Sequence, residues 1–118
     1  MIPGVINEVA ALIATGTPVP HDDLARAARA VTGALASANP GKTIEVRVPP
    51  FAAVQVGAAE GEGPQHRRGT PPNLVEMDAP TAVRLATGAI TWDEASASGL
   101  LRYSGAHAFD VAAMFPLA

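Results

Sequence analysis

Thr43-Ile44-Glu45-Val46-Arg47-Val48-Pro49-Pro50-Phe51-Ala52-Ala53-Val54-Gln55-Val56 is the stretch on which the fold turns. Ile44, Val46 and Val48 fall on one side of an extended chain, and Thr43, Glu45 and Arg47 on the other. That is the two-residue period of a strand with one buried face. Pro49-Pro50 stops the run, because proline has no N–H for a sheet ladder. Phe51 to Val56 reads as a second strand, so the two form a hairpin or a bent edge pair.

Toward the N-terminus the period changes. Val5, Ile6, Val9, Ala10, Leu12 and Ile13 recur at helical spacing, and Gly16-Thr17-Pro18-Val19-Pro20 ends that helix. A second helix begins near His21-Asp22-Asp23, whose acids suit a helix N-terminus. It carries an apolar stripe of Leu24, Ala27, Ala28, Val31, Ala34 and Leu35, and Asn39-Pro40-Gly41 stops it. Both stripes are expected to face the sheet.

Toward the C-terminus, Gly57 to Gln65 is a Gly-rich polar loop. His66 to Arg68 can resume a strand, and Asn73 to Met77 is a further short strand. Asp78 is placed to cap a helix with Pro80 in its first turn and Gly88 at its end. Thr91-Trp92-Asp93-Glu94 has capping-box spacing, with Gly99 closing that helix. Leu100 to Ser104 reads as a strand, Gly105 as a turn, and Asp110 to Phe115 as a final short helix. Strands and helices do not alternate regularly. The expectation is therefore a single α+β domain over residues 1–118 with a mainly antiparallel sheet.

Composition narrows the function. The chain has 118 residues, 48% hydrophobic and 16% charged, with five aromatics (one Trp, one Tyr, three Phe). Its core must be built mainly from small aliphatic side chains. The net charge of −3 argues against nucleic-acid partners, which call for a basic face. With no cysteine, thiolate metal sites and Cys nucleophiles are excluded. The three histidines (His21, His66, His107) show no metal-ligand spacing, and no metal or other cofactor is expected. The N-terminus lacks a basic signal-peptide start and no apolar run is long enough to cross a bilayer. A cytoplasmic location without stable membrane insertion is expected.

Leu85-Ala86-Thr87-Gly88-Ala89-Ile90-Thr91-Trp92-Asp93-Glu94-Ala95, followed by Ser98-Gly99-Leu100-Leu101-Arg102-Tyr103-Ser104-Gly105, resembles the C-terminal half of sterol carrier protein 2 domains. Gly88, Gly99 and Gly105 match their punctuation. Val46 to Gln55, together with the run from His66 to Asp78 and its Arg-Gly-Thr-Pro-Pro-Asn core, is similar to small actinobacterial sterol carrier family proteins. The resemblance implies a twisted five-stranded sheet with helices on one face and an apolar cavity between them. It implies non-catalytic binding of a lipid, sterol or fatty-acyl chain. The alternative it implies is an accessory domain related to the C-terminal domain of mycothiol-dependent maleylpyruvate isomerases, acting with a partner protein.

The His66-to-Asp78 run is the richest polar segment. Arg47, His66, Arg67 and Arg68 suit an anion clamp for a ligand headgroup, since arginine offers forked donors. The reading favoured over the clamp is a solvated loop paired with Glu60 or Glu62. Pro71-Pro72 would hold Thr70 and Asn73 toward a ligand, or simply stiffen the start of a strand. Glu76 is favoured as the partner of Arg47 or Arg68 in a structural ion pair over a general base. No nucleophile elbow, phosphate loop or metal motif accompanies His66 and Glu76, so catalysis is not expected. The candidate ligand-binding set is thus Arg47, His66, Arg68, Thr70, Asn73 and Glu76. Trp92 is read as a packing anchor. Phe109, Met114 and Phe115 either close an apolar pocket or fill the core. A homodimer using the polar segment as its interface is a further possibility.

Overall fold

The alternating stretch folds as β1 (Ile44–Val48), paired antiparallel with β2 (Ala52–Val56) so that Val46 lies opposite Val54. The prolines between them form the hairpin turn, in which the Phe51 N–H donates to the Val48 carbonyl at 2.9 Å. This is a computed structural model, and it describes residues 2–59 and 72–117. The expected strand at His66–Arg68 lies outside the described residues.

β3 (Asn73–Glu76) lies on the other side of β1, and β4 (Arg102–Ser104) pairs with β3, giving the order β2-β1-β3-β4. Two expectations are corrected here. The described residues form four strands rather than five, and the sheet is mixed, because β1 and β3 run parallel. The physical reason lies in connectivity. β2 ends beside the start of β1, and β3 starts at that same end. The chain therefore reverses direction with β1 lodged between the two strands, which makes β1 and β3 parallel. The reversal spans two inter-strand spacings, about 10 Å, well within reach of the intervening chain.

Ile44, Val46, Val48 and Val75 are wholly buried on one sheet face. The opposite face carries Glu45, Arg47, Leu74 and Glu76, each half-buried. Helix α2 (His21–Ala38) lies over the apolar face, against β2 and β1. Its Ala27, Ala28, Val31 and Leu35 are buried, as the stripe predicts. Thr32 is buried too, with its hydroxyl donating to the Ala28 carbonyl of its own helix. α1 (Gly4–Ala14) departs from expectation. Its buried Ile6 and Val9 face α2 and α3 (Ala79–Thr87) rather than the sheet, so it forms an outer part of the helix layer.

The C-terminal punctuation is observed as read. The Asp78 carboxylate accepts from the Thr81 N–H at 2.9 Å, and Gly88 closes α3 in the left-handed conformation at φ 79°. Thr91 and Glu94 form a complete capping box on α4 (Trp92–Ala97). The last helix is a 3-10 helix, Ala108–Met114, rather than an α-helix. It has no side-chain cap, and Pro116 disfavours helical backbone at Phe115, so only tight local turns persist.

Asn73 ties these parts together. It is 3% exposed; its Nδ2 donates to the Thr43 carbonyl at 3.0 Å, and its Oδ1 accepts the His107 N–H at 2.8 Å. One amide thus joins the start of β1, the start of β3 and the start of the 3-10 helix. Gly105 packs directly against it at φ 98°, and a Cβ there would collide with Asn73 Oδ1 and the Pro72 carbonyl. Farther along the 3-10 helix, the Asp110 carboxylate accepts from the Ala59 N–H at 3.0 Å and lies 3.4 Å from His107 Nδ1.

Asn73→Ala should cost about 2–4 kcal/mol, since it strands a buried carbonyl and a backbone N–H. Gly105→Ala should cost on the order of 3 kcal/mol through backbone strain and overpacking. Urea denaturation of both variants and the double variant checks this. The double variant should lose less than the sum, because one collision partner is gone.

Candidate functional site

The candidate residues fall into separate places. Arg47 and Glu76 are register partners across β1 and β3, yet their ion pairs run elsewhere. Arg47 Nε pairs with Glu45 two residues away on the same strand face. Glu76 Oε2 lies 4.0 Å from Arg102 Nη1 on β4. Of the two expected partners of Glu76, Arg47 pairs with Glu45 instead, and Arg68 lies outside the described residues. The Glu76–Arg102 pair is exposed on its arginine side and contributes little to stability, whereas Arg47 and Glu45 are partly buried. Asn73 has both ends of its amide engaged by backbone, as described above. His66, Arg68 and Thr70 lie outside the described residues, as does Arg67.

A different region has the shape of a binding site. Between the α3–α4 turn and the C-terminal 3-10 helix is an open cleft of about 630 Å³. Leu85, Ile90 and Trp92 form one wall; Phe109, Ala112 and Phe115 form the other. Pro116 packs against Gly88 at the cleft floor, 3.7 Å from where a Cβ would stand. The Leu117 N–H donates to the Ala86 carbonyl at 2.9 Å, which anchors the chain end to α3. Small side chains at Ala112 and Ala113 keep the 3-10 wall thin and the space open.

Trp92 both packs and lines. It is 6% exposed, and its ring meets Phe109 edge-on at 6.0 Å and Tyr103 at 5.8 Å. The Tyr103 hydroxyl in turn is 3.1 Å from the Ser96 hydroxyl on α4. The Trp92 indole Nε1 is buried with no hydrogen-bond partner among the described residues. An unmet buried donor of this kind costs about 1–3 kcal/mol.

The cleft's rim is acidic. Asp93 lines it, and Glu94 follows on α4. Bonds to the Thr91 backbone N–H and hydroxyl, assisted by Arg84, hold the Glu94 carboxyl below the usual glutamate range. The described residues contain no group of three His, Cys, Asp or Glu suited to a metal. No described helix is long and apolar enough to cross a membrane.

Of the six expected site residues, Arg47, Asn73 and Glu76 do not line this cleft, and His66, Arg68 and Thr70 lie outside the described residues. Among the residues lining it, the sequence leaves Phe109 and Phe115 open between pocket and core and reads Trp92 as a packing anchor. One signal was present in the sequence. Four of the five aromatics, Trp92, Tyr103, Phe109 and Phe115, fall in the last quarter of the chain, where they cluster around one space.

The described residues form an α+β fold with a helix layer over one sheet face and an apolar cleft beside the C-terminal segment. The chain belongs to the bacterial sterol carrier protein family: the family described as bacterial SCP ortholog matches residues 20–117. That match spans every element from α2 onward and leaves α1 outside it. Comparison with curated proteins gives no match.

The capping box at the cleft rim gives a pH-dependent expectation. Glu94 is held below its unfolded value, so its contribution is fully present above the ordinary glutamate range, about 4.3. It is lost as pH falls through the lower folded-state value. The stability difference between the wild type and Glu94→Gln should be largest near neutral pH and shrink on acidification. Denaturation midpoints across an acid-to-neutral series measure it.

Proposed function

We propose that this protein is a non-catalytic carrier that holds an apolar small molecule of lipid or fatty-acyl type in the cleft between α3–α4 and the C-terminal 3-10 helix. The observation that carries the reading is the cleft itself, about 630 Å³ and walled by Leu85, Ile90, Trp92, Phe109 and Phe115. Its size lies in the range of small-molecule sites, and apolar walls with a few polar groups are their usual character. Membership of a sterol carrier family supports the same reading.

Affinity would come from removing apolar surface from water, at about 25 cal/mol per Å² before the costs of association. The two walls come from separate segments of the chain, joined through the Leu117 N–H on the Ala86 carbonyl, while Asn73 holds the start of the 3-10 helix to β3. The charged sheet face is built differently. Its arginines and glutamates are paired with one another, and the depression beside Glu76 and Arg102 is smaller, about 250 Å³. Nothing among the described residues favours the accessory-domain alternative.

Filling the cleft tests the assignment. Ala112 lies on its wall, partly buried. Ala112→Trp should lower capture of apolar molecules at least about tenfold, with a melting temperature within a few degrees of wild type. Native mass spectrometry after exposure to a lipid extract reads the bound mass. A wild-type protein that captures nothing would overturn the carrier reading.

A further inference from the structure

We propose that Asp110 is a positioning residue for the carrier cleft: acting from a side of the 3-10 helix outside the cleft, it sets where the Phe109 wall stands and so how tightly an apolar molecule is held. This rests on the carrier reading and specifies how that site is controlled.

The first argument is the period of the wall. A 3-10 helix has three residues per turn, so side chains three apart lie one above the other. The stretch from His107 to Phe115 therefore falls into three rows. Ala108 and Val111 are buried in the core. Phe109 and Ala112 line the cleft, as does Phe115 just past the helix. Asp110 belongs to the third row, between His107 and Ala113. Asp110 and Ala113 border a second depression, across from Asn39, Gly57 and Ala59. Ala113 lines both spaces, so a single helix separates them. The helix cannot turn one row without turning the other two.

The second argument is the tether on that third row. Asp110 Oδ2 accepts the Ala59 N–H at 3.0 Å, a bond between residues 51 positions apart. Two residues before Ala59, the Gly57 N–H donates to the carbonyl of Asn39, at the end of α2, at 2.9 Å. Asp110 is thus fastened to a segment that is itself fastened to the core helix. Asn73 holds the start of the 3-10 helix, and Leu117 anchors the chain beyond its end. Asp110 acts between these points, on the residue next to Phe109. Phe109 is 57% exposed, so packing restrains it little, and its 6.0 Å contact with Trp92 follows the setting of the helix.

The coupling runs in both directions. If the tether favours the wall position that holds a ligand, an occupied cleft favours the tether by the same factor. The Ala59 amide then reports on a cleft that it does not line. A bound ligand ordinarily slows the exchange of amides that open only by global unfolding. The Ala59 amide lies beyond the end of β2 and opens locally, so slowing there marks the specific coupling.

Titration of labelled protein with 1-decanol, followed in proton–nitrogen spectra well below the melting temperature, tests this. Asp110→Ala should weaken decanol binding about three- to tenfold, the worth of one hydrogen bond. Asp110→Asn keeps a carbonyl oxygen for the Ala59 N–H and should recover most of that loss. In the wild type, saturation with decanol should slow exchange of the Ala59 amide proton with water by a comparable factor. Lower stability alone, in a protein that stays folded, moves neither quantity.

Asp110→Ala binding as the wild type does, or an Ala59 rate unchanged on saturation, would overturn the proposal and leave the carrier reading standing. Asp110→Asn binding as weakly as Asp110→Ala would overturn the tether as the cause. A wild type that binds no decanol would sink the carrier reading together with this one. Should Asp110→Ala fail to fold, the Ala59 rate in the wild type decides the matter alone.

Discussion

The amide of Asn73 is the constraint from which the rest of the architecture follows. It is the first residue of β3, and its two hydrogen bonds reach backward to Thr43 and forward to His107. The first bond fixes β3 alongside β1 in a parallel register that puts Val75 opposite Val46 in the core. The second sets where the C-terminal 3-10 helix begins, and that helix carries one wall of the cleft. Gly105 completes the arrangement by lacking a side chain where the amide needs room. Core packing and cleft geometry are thereby coupled through one buried polar group, whose loss of hydration is offset by a hydrogen bond at each end of the amide.

How far the fold could be read depended on the range of each signal. Caps and turns are local, so Asp78, Thr91 with Glu94, and Gly88 were placed correctly from residue types a few positions apart. The alternation of Ile44, Val46 and Val48 fixed which face of β1 is buried. Alternation is blind to strand direction, however, and the parallel β1–β3 pairing arises from a reversal that skips over a strand. The stripe on α1 shows which side is buried but not whether a sheet or other helices cover it. Helices α2 and α3 do so here.

The candidate site was less legible for a related reason. Clustered charges and prolines draw attention in a sequence, and they directed the reading toward Arg47, Asn73 and Glu76. In the fold, Arg47 and Glu76 are paired along and across the sheet, and Asn73 is consumed in holding strands together. An apolar cleft announces itself with the same residue types as a core. Ile90, Phe109 and Phe115 are of residue types that also build cores, yet here Phe109 is 57% exposed and Phe115 only partly buried beside the small Ala112 and Ala113. The two functions divide by surface: a charged outer sheet face that interacts with itself, and an apolar cleft with an acidic rim.

The aromatic cluster also gives this protein an optical property tied to its cleft. The sole tyrosine, Tyr103, stands 5.8 Å from the sole tryptophan, Trp92. At that separation light absorbed by the phenol passes to the indole before it can be emitted. Ultraviolet emission of the whole molecule therefore originates at one ring, and that ring is part of the cleft wall. Any change in the polarity of that space alters the colour and lifetime of the emission, without a dye or label.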